Sequence, residues 1–368
     1  MIIGIDKTQR TNSSIEADDF IWEIVTRLAA GDDQQLFYVF CDISSIHSTV
    51  SKNIFLVPTA KAKASTILSK LCLKIKFRNL LKKYKVDLLI ASQNSYYANT
   101  AQYLIVTDLD FILFPDYFST HQRSFLLQKI KQAVQKAEFI VVKSLILKTE
   151  MIRLLEVQEN KIVVVPSAPR TFVQPLNSQQ KLLVKEKYTC GKEYFYYRAA
   201  NENPTQITTL LKAFSLLKKR QQSNWKLVIA SPTKINEILL QLQTYKYRDD
   251  VILNLIESDE IYSDLLAGAY ATIDLAHSGL SLYNLESMKT GVPVLAYSAA
   301  GLGNIEAIQQ IKSNDVADIA DGLMLLYKDE VLRNELIEKE KVIASQYSWE
   351  QSAKIFGELI LKQRSVNN

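Results

Sequence analysis

SGLSLYNLESMKTGVP, residues Ser278–Pro293, is the stretch of this sequence that decides the fold. A short apolar run, Tyr270–Ala276, precedes it, and Gly291 and Pro293 end its helix-like pattern. The order is therefore a buried strand, a tight loop that contains glycine, and the N-terminus of a helix. Backbone N–H groups at such a helix N-terminus favour the binding of a phosphorylated ligand. We expect an α/β domain with a phosphate site here.

Apolar runs alternate with helical patterns on both sides of this stretch, which favours an α/β fold with largely parallel sheets. The predicted strands of the first half are Ile2–Ile5, Leu36–Phe40, Leu88–Ile90, Tyr103–Val106, Phe139–Val142 and Ile162–Val165. Those of the second half are Tyr194–Tyr197, Lys226–Ala230, Val251–Leu255, Ala271–Leu275 and Val292–Ala296. Amphipathic segments such as Phe20–Ala30 and Phe125–Gln135 separate the strands.

A break that contains three prolines, Pro166–Gln180, separates the two series of strands. Because the second half restarts the pattern of the first, we place a domain boundary in this break. Two doubly wound domains that face each other would bind a ligand in the cleft between them. The ligand would contact the carboxyl ends of the strands, where such folds place their sites.

The composition fits an ordinary globular protein, with 48% hydrophobic and 23% charged residues. No apolar run approaches the roughly 18 residues of a transmembrane helix. Three histidines and three widely spaced cysteines argue against a zinc site and a disulfide framework, and fit a reducing cytoplasm. The net charge of +5 is modest, so we expect no nucleic-acid partner.

Five segments follow one another in an order known from one family. They are VTDLDFILFPDYFS (Val106–Ser119), Lys136–Pro166, Tyr194–Phe214, Ser278–Pro293 and YSWEQSAKIF (Tyr347–Phe356). In these segments the chain resembles GT-B glycosyltransferases of the family-4 type, the glycosyl transferases group 1. These are retaining enzymes that use nucleotide-sugar donors. The resemblance implies an α/β GT-B fold, in which two Rossmann-like domains face each other across a cleft.

The resemblance also assigns a side of the reaction to each domain. Residues 1–170 would form the acceptor-side domain, completed by a C-terminal helix at about 350–364, and residues 171–349 would form the donor domain. Glu286 matches the glutamate that binds the donor's ribose hydroxyls, because a carboxylate accepts from two neighbouring hydroxyls. The alternative is a carboxylate that only complements the helix dipole. The loop expected to face phosphate and sugar consists of Ser278, Gly279, Leu280, Ser281 and Leu282.

Other donor-side positions of the family carry different residues here. The family's first glutamate falls at Ser278, and its two diphosphate-binding cations fall at Ala200 and Thr205. Each missing cation removes electrostatic stabilisation that is often worth roughly 3–4 kcal/mol. Arg198 is the candidate replacement; a surface arginine is the alternative, because strand parity alone does not fix which way the side chain points.

The acceptor side departs from the family as well. The family's catalytic-site histidine falls at Thr107, which cannot reproduce the charge state of an imidazole, while Asp108 beside it is kept. Asp108 would either take part in the acceptor-side site or form a structural hydrogen bond to the backbone at the end of a strand. The segment after the first strand, Lys7–Glu16, contains no glycine, so its side chains would crowd a diphosphate.

Two functions stay open at this point. The first is a cytoplasmic transferase of the retaining type, which moves a hexose from a nucleotide-sugar to a glycan, lipid-linked or protein acceptor. It would need neither a metal nor another cofactor. The second is a catalytically inactive GT-B homologue that acts as a partner or acceptor-binding subunit, with a second glycosyltransferase as its partner.

A basic segment suggests a further contact. From Ile43 to Val86 the sequence has no acidic residue, and lysines recur throughout. Leu68, Leu71 and Ile75 recur at helical spacing, so one face of this segment is apolar. One hypothesis is that segment 61–85 docks on anionic lipid at the inner face of a membrane. The alternative is a helix that packs on its own domain with solvated lysines.

Overall fold

The computed structural model describes residues 1–8, 15–41, 51–59, 67–92, 100–113, 115, 118–199, 204–231, 236–256, 258–275, 280–297, 308–313 and 315–367. The chain divides into two compact units. Unit 1 is Met1–Ser167 together with Trp349–Asn368, and unit 2 is Ala168–Ser348. The sequence placed the corresponding limits at residues 170 and 349.

Each unit contains one parallel sheet. The strands in chain order are β1 (Ile2–Lys7), β2 (Leu36–Cys41), β3 (Ile54–Pro58), β4 (Leu88–Ser92), β5 (Ala101–Val106), β6 (Phe139–Val142), β7 (Ile162–Val164), β8 (Tyr194–Arg198), β9 (Lys226–Ser231), β10 (Val251–Leu255), β11 (Ala271–Asp274), β12 (Val294–Tyr297) and β13 (Gln309–Ile311). The first seven form the sheet of unit 1 and the last six that of unit 2.

Helices connect these strands. In chain order they are α1 (Ile15–Gly31), α2 (Ile67–Lys83), α3 (Asp110–Leu113), α4 (Thr120–Lys136), α5 (Leu145–Leu155), α6 (Ser178–Thr189), α7 (Pro204–Gln221), α8 (Asn236–Gln243), α9 (Asp259–Ala267), α10 (Leu282–Thr290), α11 (Val316–Lys328), α12 (Glu330–Ser345) and α13 (Trp349–Asn367). Strands alternate with helices in both units, so the predicted α/β class is confirmed.

The sheet of unit 1 has the order β3-β2-β1-β4-β5-β6-β7. From β1 the chain builds outward through β2 and β3, then returns to β1's other side at β4, so the switch point lies between β1 and β4. α13 completes this unit from the far end of the chain. Trp349 packs 5.8 Å from the ring of Phe20, and the buried Tyr103 hydroxyl donates to the Leu359 carbonyl at 2.9 Å.

The sheet of unit 2 has the order β10-β9-β8-β11-β12-β13, so its switch point lies between β8 and β11. β8 is apolar at nearly every position because both of its faces are covered. On one face Phe195 packs with Leu210 and Phe214 of α7, and on the other Tyr194 and Tyr196 pack with residues of α9.

Two edge strands were not predicted. β13 has a single buried residue, Ile311, and thus no apolar run. β3, an edge strand of the sheet of unit 1, exposes Phe55 to solvent and lies within the stretch Ile43–Val86 that has no acidic residue. The predicted break at Pro166–Gln180 is also too long, since α6 begins at Ser178, where the Asn177 side chain caps it.

Candidate functional site

The switch point of unit 2 gathers most of the polar residues that we predicted for the donor side. Doubly wound sheets bind ligands outside the carboxyl ends of their strands at this place. Arg198 is the last residue of β8, and α10 begins shortly after β11, its neighbour in the sheet. A cationic side chain and a helix N-terminus therefore belong to the same edge of one sheet.

α10 begins at Ser281 because this side chain caps it. The Ser281 hydroxyl accepts a hydrogen bond from the Asn284 amide at 3.1 Å and donates to the Asp274 carboxylate at 3.2 Å. The helix ends at Gly291, whose φ of 71° is left-handed and suits glycine. Asn284 is 3% exposed, and its side-chain nitrogen has no hydrogen-bond partner. The first turn of α10 therefore presents a buried, unused donor.

Glu286 lies on α10 with a fully buried side chain. One carboxylate oxygen accepts from Nε of Arg170 at 2.6 Å and from its backbone amide at 3.2 Å. The other accepts from Nη2 of Arg170 at 3.0 Å and from the Tyr262 hydroxyl at 2.5 Å. The bidentate pair is a charge-assisted contact of the strong kind. The ribose role of Glu286 stays a prediction; the bonds described here all come from unit 2 itself.

Arg198 points toward α10. Its guanidinium carbon lies 3.7 Å from the ring centroid of Tyr283, in the first turn of α10, and 5.8 Å from that of Tyr262. A cation at such distances from a ring face is attracted to it, so the two tyrosines hold Arg198 beside the helix N-terminus. Burial raises the pKa of the Tyr262 hydroxyl, and the Glu286 charge adds to that rise, so Tyr262 remains a neutral donor.

The other predicted donor-side residues differ in their exposure to solvent. Leu282 is fully buried, and Leu280 packs partly buried against the core beneath α10. Thr205 is exposed in the first turn of α7, the helix that follows β8. Ser278 and Gly279 lie outside the described residues, and so does Ala200.

In unit 1 the predicted Thr107 and Asp108 follow β5, where the Thr107 hydroxyl donates to the Asp108 carboxylate at 3.3 Å. Lys143 follows β6, and its buried ammonium pairs with Glu16, at the start of α1, at 3.0 Å. Burial raises the pKa of Asp108; nearby Lys143 opposes this rise and Glu16 adds to it. The carboxyl edge of this sheet thus holds a carboxyl group that binds a proton more tightly than usual.

Several of these residues were missed from the sequence, among them Arg170, Tyr262, Tyr283 and Lys143. Arg170 stands in the proline-containing break, which we used only to place the domain boundary. Lys143 left one signal, since it directly follows the apolar strand Phe139–Val142. Nothing in the sequence indicated a site role for the two tyrosines, because aromatic residues on amphipathic helices are usually core residues.

The described residues contain no cluster of three or more histidines, cysteines or carboxylates that is arranged to hold a metal ion. They also contain no helix long and apolar enough to cross a membrane. The absence of a metal from the reaction stays a prediction.

The family described as glycosyl transferases group 1 matches residues 178–342, which lie in unit 2. The O-antigen chain mannosyltransferase B of Escherichia coli is 25% identical over 278 residues, 73% of each protein.

Two solved structures share the fold over nearly the whole chain. Sucrose-phosphate synthase from Thermosynechococcus elongatus has a TM-score of 0.76 at 13% identity, with 99% of each chain covered. HepE from Anabaena, in complex with UDP and glucose, has a TM-score of 0.70 at 14% identity, with 98% of each chain covered. The chain therefore has the GT-B fold, and its unit 2 matches the glycosyl transferases group 1.

Proposed function

We propose that the chain transfers a hexose from a nucleotide-sugar donor to a glycan, lipid-linked or protein acceptor, with retention of configuration. One observation carries this proposal: Arg198 lies against the first turn of α10 at the switch point of unit 2. A sugar leaves as its bond to a diphosphate breaks, and the negative charge that develops needs a fixed positive group. Arg198 and the N-terminus of α10 supply it, in place of the family's cations at Ala200 and Thr205.

The similarity to a mannosyltransferase makes mannose the first hexose to try. In unit 1, Asp108 is partly exposed and follows β5 at the carboxyl edge of the sheet, so its carboxyl group suits hydrogen bonding to a sugar hydroxyl. The proposal includes no metal, since protein groups provide the positive charge. Turnover that persists after treatment with EDTA supports this part, and turnover restored only by a divalent cation contradicts it.

A thermal-shift screen tests the proposal. The intact chain is heated with UDP, GDP, ADP and their common sugar conjugates, and with inorganic phosphate as the control for simple anion binding. We expect one nucleotide to raise Tm at concentrations where phosphate does not, because ligand that binds only the folded state stabilises it. The shift also names the base. No shift with any nucleotide contradicts donor binding.

The second candidate function is a non-catalytic partner subunit. Arg170 and Tyr262 already occupy the Glu286 carboxylate, the one acidic residue of the family's donor motif that this chain keeps. A chain of this kind would bind no nucleotide and would recruit a second glycosyltransferase. An unchanged Tm in the nucleotide screen, together with specific co-purification of such an enzyme, supports this candidate; nucleotide-dependent turnover by the isolated chain excludes it.

The proposal also includes contact with anionic lipid through α2, at the inner face of the membrane and from the cytoplasm. Phe77 and Leu81 of this helix are buried against the sheet of unit 1, whereas Ile75 on another face is 49% exposed. Lys82 and Lys83 end the helix, and residues 43–86 contain no acidic residue. Each lysine near such a surface contributes about 1 kcal/mol of binding at low salt.

Pelleting with vesicles that contain phosphatidylserine tests this contact. We expect salt-sensitive pelleting, which the triple variant Lys76→Gln, Lys82→Gln and Lys83→Gln loses. The matched control changes Lys219, Lys328 and Lys339 of unit 2 to Gln and pellets normally. Equal pelleting with neutral vesicles, or equal loss in both triple variants, contradicts a docking surface on α2.

A further inference from the structure

The pair between Arg170 and Glu286 is more than a surface ion pair. Glu286 is 0% exposed and Arg170 is 8% exposed, so both charges are withdrawn from water. The Arg170 guanidinium also lies 4.8 Å from the ring centroid of Phe172 and 4.9 Å from that of Tyr262. The arginine is therefore held by its carboxylate and by aromatic rings on more than one element of unit 2.

The hydrogen-bonding capacity of Glu286 is filled. An ionised carboxylate offers about four acceptor positions, two on each oxygen. Arg170 occupies three of them through Nε, Nη2 and its backbone amide, and the Tyr262 hydroxyl occupies the fourth. A ribose has two neighbouring hydroxyls. For the Glu286 carboxylate to accept a hydrogen bond from each of them, at least two of its present donors must leave.

Exchange of these donors for ribose is unfavourable. A neutral hydroxyl forms a weaker bond to a carboxylate than a guanidinium does. Release of Arg170 would also leave a buried cation without its counter-ion, which is strongly destabilising. A ligand would have to supply that difference from its other contacts.

We propose that Arg170 permanently occupies Glu286, so that this chain does not distinguish ribose from 2′-deoxyribose in its nucleotide donor. The inference rests on the proposed function, because it concerns how the donor is recognised. Arg170 thus determines specificity, because it occupies the carboxylate that would otherwise accept hydrogen bonds from the ribose hydroxyls. The nucleotide is held through its diphosphate and base instead.

The first experiment compares ribonucleoside and 2′-deoxyribonucleoside diphosphates of the same base, titrated into the intact chain by calorimetry. We expect dissociation constants within about threefold of each other, since no carboxylate contact is lost with the hydroxyl. A preference for ribose of about tenfold or more overturns the inference. In Arg170→Met the carboxylate regains free acceptor positions, so a preference for ribose should appear.

The second experiment needs no nucleotide. Urea unfolding is measured for the intact chain and for Arg170→Met, Glu286→Leu and the double variant, which form a double-mutant cycle. We expect Glu286→Leu to lower the unfolding midpoint and the added Arg170→Met change to recover much of that loss. Additive losses overturn the pairing and with it the inference.

The two experiments separate the inference from the proposed function. If neither nucleotide binds, the proposed function fails, and the unfolding cycle still decides whether Glu286 is occupied by Arg170. If both bind and ribose is preferred, the function stands and the inference fails. Glu286→Ala is unsuitable as a simple test of donor binding, because it removes the counter-ion of Arg170 and disturbs the fold.

Discussion

The carboxyl edges of the two sheets carry different charges although the architecture is the same. In unit 1, Lys143 lies close to two carboxyl groups, Asp108 and Glu16, and β1 ends with Asp6 and Lys7. In unit 2, Arg170 pairs with Glu286, Arg198 lies against the ring of Tyr283, and the Asp274 carboxylate accepts from the Ser281 hydroxyl. Under the proposed function, the first edge binds hydroxyl groups of a sugar and the second binds the diphosphate of the donor. A doubly wound fold thus sets where ligands bind, while the residues after its strands set which ligands.

The largest predicted effect concerns the charge balance of unit 2. Glu286→Leu leaves the Arg170 guanidinium buried without its counter-ion, so we expect the free energy of unfolding to fall by about 3–5 kcal/mol. Urea unfolding measures this loss. Glu335→Leu, at an exposed position on α12, is the matched control and should change stability by less than about 0.5 kcal/mol. Equal effects would mean that the pair is not buried as described.

The corresponding change in unit 1 should have a smaller effect. Lys143→Met removes the partner of Glu16, whose side chain is 17% exposed and can gain water, so we expect a loss of about 2–3 kcal/mol. Lys148→Met, which removes a pair with a largely exposed Glu159, is the control.

The same variant predicts a pH effect with a definite sign. The pKa of Asp108 is raised in the folded chain, so its contribution to stability is present below the unfolded value of 3.8 and is lost as pH rises through the folded value. Lys143 opposes that rise. In Lys143→Met the loss should therefore extend to higher pH, as urea unfolding at a series of pH values would show. An unchanged pH profile contradicts the proximity of the two groups.

Another buried carboxyl group lies away from both carboxyl edges and serves as a reference for the effect of burial on stability. Glu340 of α12 accepts from the Val294 amide at 2.9 Å, and its second oxygen has no hydrogen-bond partner. Burial raises its pKa well above 4.5, so the stability it contributes is lost as pH rises above that value.

Glu340→Gln keeps the acceptor and cannot ionise. We expect it to raise the free energy of unfolding by roughly 1–2 kcal/mol at about pH 8 and to change it little at about pH 4. Glu338→Gln, at an exposed position two residues away, should show no such dependence. A gain that is the same at both pH values would show that ionisation of Glu340 is not its cause.

The smallest predicted losses of unfolding free energy come from removing two helix N-caps, one in each unit. Ser281→Ala removes the cap of α10 and its bond to Asp274, and we expect a loss of about 1–2 kcal/mol. Ser119→Ala removes the exposed cap of α4 in unit 1 and should cost about 1 kcal/mol or less. Thermal or urea unfolding gives both values. A larger loss at Ser119 would contradict the special position of the α10 N-terminus.

The sequence predicted the strands that are buried on both faces, because such strands appear as continuous apolar runs. Phe139–Val142 was predicted with the bounds that β6 has. The edge strands β3 and β13 were not predicted, because an edge strand needs less apolar surface and its pairing depends on residues far along the chain. The motif Ser278–Pro293 likewise gave the end of α10 at Gly291, where a left-handed residue is required.

The candidate site was only half predictable. Glu286 was found because it matches the family's donor motif, and Arg198 because it lies two residues from a position of the family's diphosphate-binding cations. Arg170 lies 116 residues from Glu286 in the sequence, and no periodicity connects the two. The contact exists only because the segment that opens unit 2 folds back against α10. Sequence patterns report local order, whereas the charge balance of a buried site depends on such distant contacts.

The most direct test of the account is the affinity of a nucleoside diphosphate for the intact chain and for Arg198→Ala, measured by calorimetry. The control is Arg248→Ala, at an exposed position in unit 2. If Arg198 holds the diphosphate, its loss weakens binding by about 10-fold or more, since a charge-assisted bond contributes about 1.5–3 kcal/mol. Arg248→Ala then binds as the unaltered chain does. Equal affinity in all three proteins would contradict the assignment of the diphosphate site to Arg198 and α10.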